Sequence, residues 1–243
     1  MTTDSSPLPL SPGDFAEAME ATWPPLATSR LGPWRIRQGA GGGKRVSAAN
    51  AEGDWHETDL PLAEAAMQDL GQDLLFVIWP WDEALDSSLA AKGYEKIDPV
   101  LAYAAPVCAF APALHMATFP HWPPMQIVKD IWEQGHIGPG RLAVMHRVTG
   151  PKTVILGRTA DRPSGTAFVA LHEKTALIHA LEVPPALRRQ GTARQILAAA
   201  AHWAAENGAD RLALAVTEAN ASARALYASL GMQVVGNYHY RAK

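Results

Sequence analysis

The sequence predicts an α/β protein built on a sheet, and three observations carry that prediction. Hydrophobic residues make up 48% of the 243 positions and charged residues 19%, a globular composition with enough apolar mass for a sizeable core. The carboxyl-terminal half alternates strand-like runs with two amphipathic helices. The amino-terminal half carries a thinner version of the same plan, with strands and helices in alternation.

In chain order, Asp14–Thr22 is helical. Trp34–Gln38 and Arg45–Ala49 read as a hairpin-like pair around a glycine tract. Leu62–Leu70 is a helix, Leu74–Trp79 a strand, Glu83–Lys92 a helix and Glu95–Tyr103 a strand. From Pro99 to Val128 there is no Asp, Glu, Lys or Arg, and six prolines interrupt the run. Each proline lacks a backbone donor and clashes with a preceding helical turn. Residues 106–124 therefore read as an extended connection lying against protein. This sets a boundary between a first half, 1–110, and a second, 111–243.

In the second half, Gln126–Gln134 is helical. Arg141–Arg147, Thr153–Arg158, Thr166–His172 and Ala176–Val183 read as strands, separated by Gly-Pro and Pro-Ser-Gly turns. Gly191–Asn207 is a helix whose apolar positions Ala193, Ile196, Leu197 and Ala200 follow the 3.6 period, with Asn207-Gly208 as its stop. Leu212–Thr217 is a strand, Asn220–Leu230 a helix closed by Gly231, and Met232–Tyr240 the last strand. The halves match in one detail: from strand to closing glycine takes 15 residues in each, Ile78 to Gly93 and Val216 to Gly231. A duplicated unit follows as an expectation, with Leu89 standing where the second copy has Tyr227.

Charge and cysteine content exclude some classes. Lys plus Arg is 21 against 24 for Asp plus Glu, a net charge of −3 with no basic surplus for a nucleic-acid partner. The single Cys108 rules out an internal disulfide and argues against a cysteine metal site. The start, MTTDSSPLPLSPGDF, lacks the basic flank and apolar block of a secretory signal. The most apolar stretch, Val100–Leu114, is 15 residues long and holds two prolines, whereas a spanning helix needs about 20. The expectation is a cytoplasmic protein with no membrane partner. The glycine tract Gly39–Lys44 lacks the length of a phosphate loop, and Arg45 stands where Ser or Thr should follow the lysine, so it reads as a flexible hairpin tip. Trp23, Trp34, Trp79 and Trp81 read as core, or as the cover of a substrate groove.

The chemistry concentrates in Ile178–Ala193. A strand runs into Pro184-Pro185, where sheet pairing stops. Arg188-Arg189-Gln190-Gly191-Thr192-Ala193 then opens the long helix. Its first turn offers unpaired N–H groups and the positive end of the helix dipole, and Gly191 and Ala193 let a ligand approach closely. Arg188, Arg189 and Arg194 add positive charge, so the segment reads as an anion site suited to a pyrophosphate.

The pattern Arg-x-x-Gly-x-Ala after an apolar strand resembles the acetyl-CoA signature of the GCN5-related N-acetyltransferase (GNAT) superfamily. Asn220-Ala-Ser-Ala-Arg-Ala-Leu-Tyr227-x-x-Leu-Gly-Met resembles that superfamily's second signature. The resemblance covers about 125–243 and implies a mixed, mostly antiparallel sheet flanked by helices, in two such halves of which the first is degenerate. It implies an acetyl-CoA-dependent transfer to a primary amine by direct attack in a ternary complex. A non-catalytic acetyl-CoA-binding or sensing module is the alternative.

Residue by residue, the resemblance implies that the strand carrying Leu181, Glu182 and Val183 splays at a bulge and pairs with the pantetheine arm. The amides of Arg189, Gln190, Gly191, Thr192, Ala193 and Arg194, with the Thr192 hydroxyl, hold the pyrophosphate. Asn220 supports the pantetheine or simply caps its helix. Tyr227 protonates the leaving thiolate or packs as a core aromatic. His-Ala-Leu-x-Val resembles the arylalkylamine N-acetyltransferases, which makes His179 a base or relay, with a hydrogen-bonded core histidine as the alternative and Glu182 as runner-up. Strand alternation puts residues 177, 179, 181 and 183 on one face. The acceptor is a small-molecule or peptide amine, and the protein a monomer or homodimer.

Overall fold

The computed structural model describes residues 10–243. The first nine residues, on which most of the expectation of no secretory signal falls, lie outside it.

Helix α1 (Pro12–Thr22) starts with Ser11 accepting the Asp14 amide at 3.1 Å. Strands β1 (Ala27–Leu31) and β2 (Trp34–Gln38) form an antiparallel hairpin, and β3 (Asn50–Ala51) pairs with the other edge of β2. There follow α2 (Leu60–Asp69), β4 (Leu75–Ile78), α3 (Glu83–Ala91) and β5 (Glu95–Pro106). A connection containing β6 (Thr118–His121) leads to α4 (Gln126–Gln134) and α5 (Pro139–Arg147). Strands β7 (Lys152–Thr159), β8 (Arg162–His172) and β9 (Thr175–Glu182) form a meander. The chain ends with α6 (Thr192–Glu206), β10 (Arg211–Thr217), α7 (Ala221–Ser229) and β11 (Gln233–Ala242).

Eight strands form one mixed, mostly antiparallel sheet in the order β4-β11-β5-β10-β9-β8-β7-β6, and only the β9–β10 pair is parallel. Helix α6 covers one face, burying Ile196, Leu197 and Ala200 against Ile155, Ala167, Val169 and Ile178. Helices α1, α4 and α5 cover the other face through Phe15, Ile131, Trp132, Val144 and Met145. Covered on both sides, β8 is buried without interruption from Ser164 to Ala170, which explains its unalternating apolar run. A further core of Trp34, Ile36, Met67, Phe76 and Leu89 lies among β2, β4, α2 and α3.

The centre of the sheet interleaves strands from before and after residue 110. β5 lies between β10 and β11, and β11 lies between β5 and β4. The order β4-β11-β5-β10 is unchanged when reversed with β4 exchanged for β10 and β5 for β11. The local detail agrees: Tyr94 N–H bonds the Leu89 carbonyl at 3.0 Å after Gly93, and Met232 N–H bonds the Tyr227 carbonyl at 3.1 Å after Gly231.

Three expectations are corrected. Arg45–Ala49 is not a strand: β2 pairs with 27–31, and residues 44–46 form a 3₁₀ turn. Arg141–Arg147 is helical, since Pro139 pre-sets the first turn and Val144, Met145 and Val148 fall on one face. The glycine tract is not a free hairpin tip. It packs on α5, where a Cβ on Gly42 would stand 2.5 Å from the Val144 side chain. Trp23, Trp34 and Trp79 are core residues, whereas Trp81 is exposed and stacks on Trp79. Val100–Leu114 is the end of β5 and the turn after it. Among the described residues no helix is long and apolar enough to cross a membrane.

Candidate active site

The site begins where β9 loses its neighbour. The parallel ladder with β10 runs from Thr175↔Arg211 to Ile178↔Leu214 and stops. On the other side, between the pairs Thr166↔Glu182 and Phe168↔His179, one residue of β8 (Ala167) faces two of β9 (Ala180 and Leu181), which makes a bulge with Ala180 at φ +51°. Trp132 of α4 donates its indole N–H to the Ala180 carbonyl at 2.8 Å and fixes that bulge. Residues 179–183 thus present an edge with no strand paired to it on the β10 side.

A cleft of about 590 Å³ opens there. It is lined by Leu181, Glu182 and Val183, by the loop and first turn of α6 from Leu187 to Arg194, and by α7 from Asn220 to Ser229. Gly191 takes φ +86° at the helix cap, and no side chain caps the α6 amides. An uncapped first turn facing a cleft is an anion cradle. The close seat of α6 depends on Gly165, where a Cβ would stand 2.9 Å from the Glu182 carbonyl and 3.0 Å from the Thr192 methyl.

Most of the sequence-derived binding residues come together on this cleft, but several side chains differ from expectation. The Thr192 hydroxyl is buried in a ring with Thr159 (2.9 Å) and Ser164 (3.0 Å), so its backbone amide alone remains for an anion. Arg188 folds back, donating to the Val183 carbonyl at 2.8 Å and lying 3.4 Å from Glu182. Arg194 spans to Ser229 of α7 at 2.8 Å. Arg189 and Gln190 are exposed at the rim. Asn220 caps α7 by accepting the Ala223 amide at 3.1 Å while also lining the cleft.

Tyr227 lines the cleft from α7 and is 6% exposed. Burial, with Tyr103 5.6 Å away ring to ring, pushes its pKa up to about 12. Its hydroxyl is therefore protonated at neutral pH and available as a donor.

His179 is not on the cleft. The bulge at Ala180 breaks the alternation, so 177, 179, 181 and 183 do not share a face: Leu177 and His179 meet α1, whereas Leu181 packs on the α6 side. His179 is buried and stacks on Trp23 at 4.9 Å. Thr22 donates its hydroxyl hydrogen to Ala18 at 2.7 Å and so accepts from His179 Nε2 at 2.9 Å. Nδ1 then accepts from Arg45 at 3.2 Å. This chain requires neutral imidazole, because a proton on Nδ1 would face a guanidinium N–H. Burial first, then the Arg45 charge, holds its pKa well below 6.5. That geometry does not suit a base. Trp132, Gly165 and Arg45 are the positions that sequence reasoning missed; each acts through a contact across the sheet that no local pattern marks.

Residues 122–232 match the sequence model of the Acetyltransferase (GNAT) family. A relative from Bacillus subtilis (strain 168), described as the uncharacterized N-acetyltransferase YobR, is 26% identical over 236 residues, covering 92% of this chain and 95% of its own. A solved GCN5-related N-acetyltransferase from Kribbella flavida is similar in fold, with a TM-score of 0.67 at 17% identity over 94% of each chain. A tandem GNAT protein from the clavulanic acid biosynthesis pathway has a TM-score of 0.60 at 14% identity, covering 91% of this chain and 84% of its own. The fold is GNAT-like, and residues 122–232 are similar in sequence to the GNAT family.

Proposed function

We propose that this chain is an acetyl-CoA-dependent N-acetyltransferase with one active site, in its carboxyl-terminal half. The observation that carries the reading is the cleft itself. An unpaired strand edge, an uncapped helix amino terminus and a protonated tyrosine converge on one groove. The amides of residues 189–194 would take the pyrophosphate, and the edge at 181–183 the pantetheine arm. An acceptor amine attacks the thioester carbonyl, a strand N–H near Leu181 stabilises the oxyanion, and the C–S bond breaks. Tyr227 gives a proton to the departing thiolate. The amine's proton goes to water, since both His179 nitrogens are engaged.

The amino-terminal half reads as a degenerate copy that has exchanged its last strand with the second half. The symmetric order β4-β11-β5-β10 and the matching closures at Gly93 and Gly231 support this. With Leu89 in the place of Tyr227, that half carries no second centre. The reading takes the acceptor to be a small-molecule or peptide amine, with no nucleic-acid or membrane partner, and the protein to be cytoplasmic. Thiol release from acetyl-CoA over a panel of primary amines, with the acetylated product identified by mass, tests the activity. Acetyl-CoA binding without release for any amine would favour the non-catalytic sensing module.

A further inference from the structure

On the sheet face opposite α6, two arginines stand beside the loop at Gly43 without a counter-ion. Arg45, from the turn after the glycine tract, is partly buried, donates to His179 and lies beside the phenols of Tyr238 and Tyr240. Arg141 of α5 lies against the same loop, its guanidinium 3.6–3.7 Å from where a Gly43 Cβ would stand, and the Arg45 charge acts on it. Among the described residues neither arginine forms an ion pair with a carboxylate. The acids near this loop are occupied: Asp98 holds Lys44 at 2.5 Å, and Glu20 holds Arg37 at 2.9 Å. Two like charges beside one loop repel each other, and an anion between them would offset that repulsion.

Their place gives the anion a role. His179, which Arg45 touches, is two residues before Leu181 on β9, about 7 Å along a strand at ~3.3 Å per residue. The cleft with its α6 amides lies on the other face, so an acceptor approaching the thioester from this side passes the arginines. Guanidinium groups match a carboxylate's two oxygens in geometry as well as charge.

The geometry points to Arg45 and Arg141 as the site that holds a carboxylate of the acceptor, so that the acceptor is an amino-acid-like amine. The assignment rests on the acetyltransferase reading, and its test separates the two. N-acetylglycine and its uncharged counterpart N-acetylglycinamide are titrated into the full-length protein by calorimetry, with and without coenzyme A, beside inorganic phosphate. The expected result is at least tenfold tighter binding of N-acetylglycine than of the amide or phosphate. That preference should collapse in Arg45→Gln and in Arg141→Gln, with coenzyme A affinity unchanged. Arg141 is exposed, so its variant keeps the test open where Arg45→Gln fails to fold. Equal or undetectable binding of the two glycine probes, a preference surviving both substitutions, or tighter binding of phosphate would overturn the carboxylate site. Failure of coenzyme A to bind would instead overturn the acetyltransferase reading, while the charge preference in its absence would still report on the arginines.

Discussion

At the scale of single residues, Tyr227 on α7 and His179 on β9 have opposite fates. Tyr227 faces the cleft with its phenol held protonated by burial. Tyr227→Phe removes only the hydroxyl. Acetyl-CoA affinity should stay nearly constant while turnover falls on the order of 10²-fold, as for loss of a general acid; steady-state kinetics beside calorimetry would show it, and unchanged turnover would leave Tyr227 a packing residue. His179 is locked as a neutral donor–acceptor between Thr22 and Arg45. Its native pKa lies below the unfolded value, so below about 6.5 the unfolded chain binds the extra proton and stability falls with falling pH. His179→Gln should flatten that acid slope in denaturant melts from pH 7 to 5. The shape of the pH–rate profile should be unaltered. A lost acidic kinetic limb would return His179 to the role of base. The histidine's identity was legible in the sequence, but its orientation was not, because a one-residue bulge decides which way every later side chain on β9 points.

At the scale of elements, two glycines and a tryptophan shape the cleft. Trp132 holds the bulge carbonyl, Gly191 turns the chain into α6, and Gly165 lets α6 sit close to β8. Gly165→Val would drive its side chain into the Glu182 carbonyl and the Thr192 methyl. It should weaken acetyl-CoA binding at least tenfold while far-ultraviolet circular dichroism stays native; undiminished affinity would show that the α6 seat tolerates the displacement. The long periodic elements α6, α7, β8 and β10 were legible because their patterns are strong and their caps explicit. Arg141–Arg147 was not, since seven residues with two buried side chains fit either period until Pro139 is taken as a helix start. Arg45–Ala49 carries a strand-like pattern, whereas the hairpin partner of β2 is a fully exposed strand, β1, with no apolar pattern.

At the scale of the whole molecule, the sheet order places β5 between β10 and β11, so strands from before and after residue 110 share one sheet. Cutting at 110/111 would strip β10 and β11 of β5, and with it the ladder from Thr217↔Val100 to Arg211↔Pro106. An isolated 111–243 fragment exposes that edge and the apolar residues behind it, and exposed edges pair with other chains. It should be aggregated or poorly dispersed in a proton–nitrogen correlation spectrum, whereas co-expression with 1–110 should restore a soluble pair. A well-dispersed monomeric fragment would make the halves independent domains. The charge-free, proline-rich connection is legible in the sequence, but the sheet that joins strands from either side of it is not, because the pairing of β5 with β10 and β11 is long-range.

The central claim is a single acetyl-CoA site at the amino terminus of α6. Calorimetric titration of the full chain with acetyl-CoA measures it most directly. The account predicts one site per chain, abolished in Gly191→Asp, whose carboxylate would repel the pyrophosphate and whose side chain would strain a cap at φ +86°. Two sites per chain, or binding that survives Gly191→Asp, would contradict it.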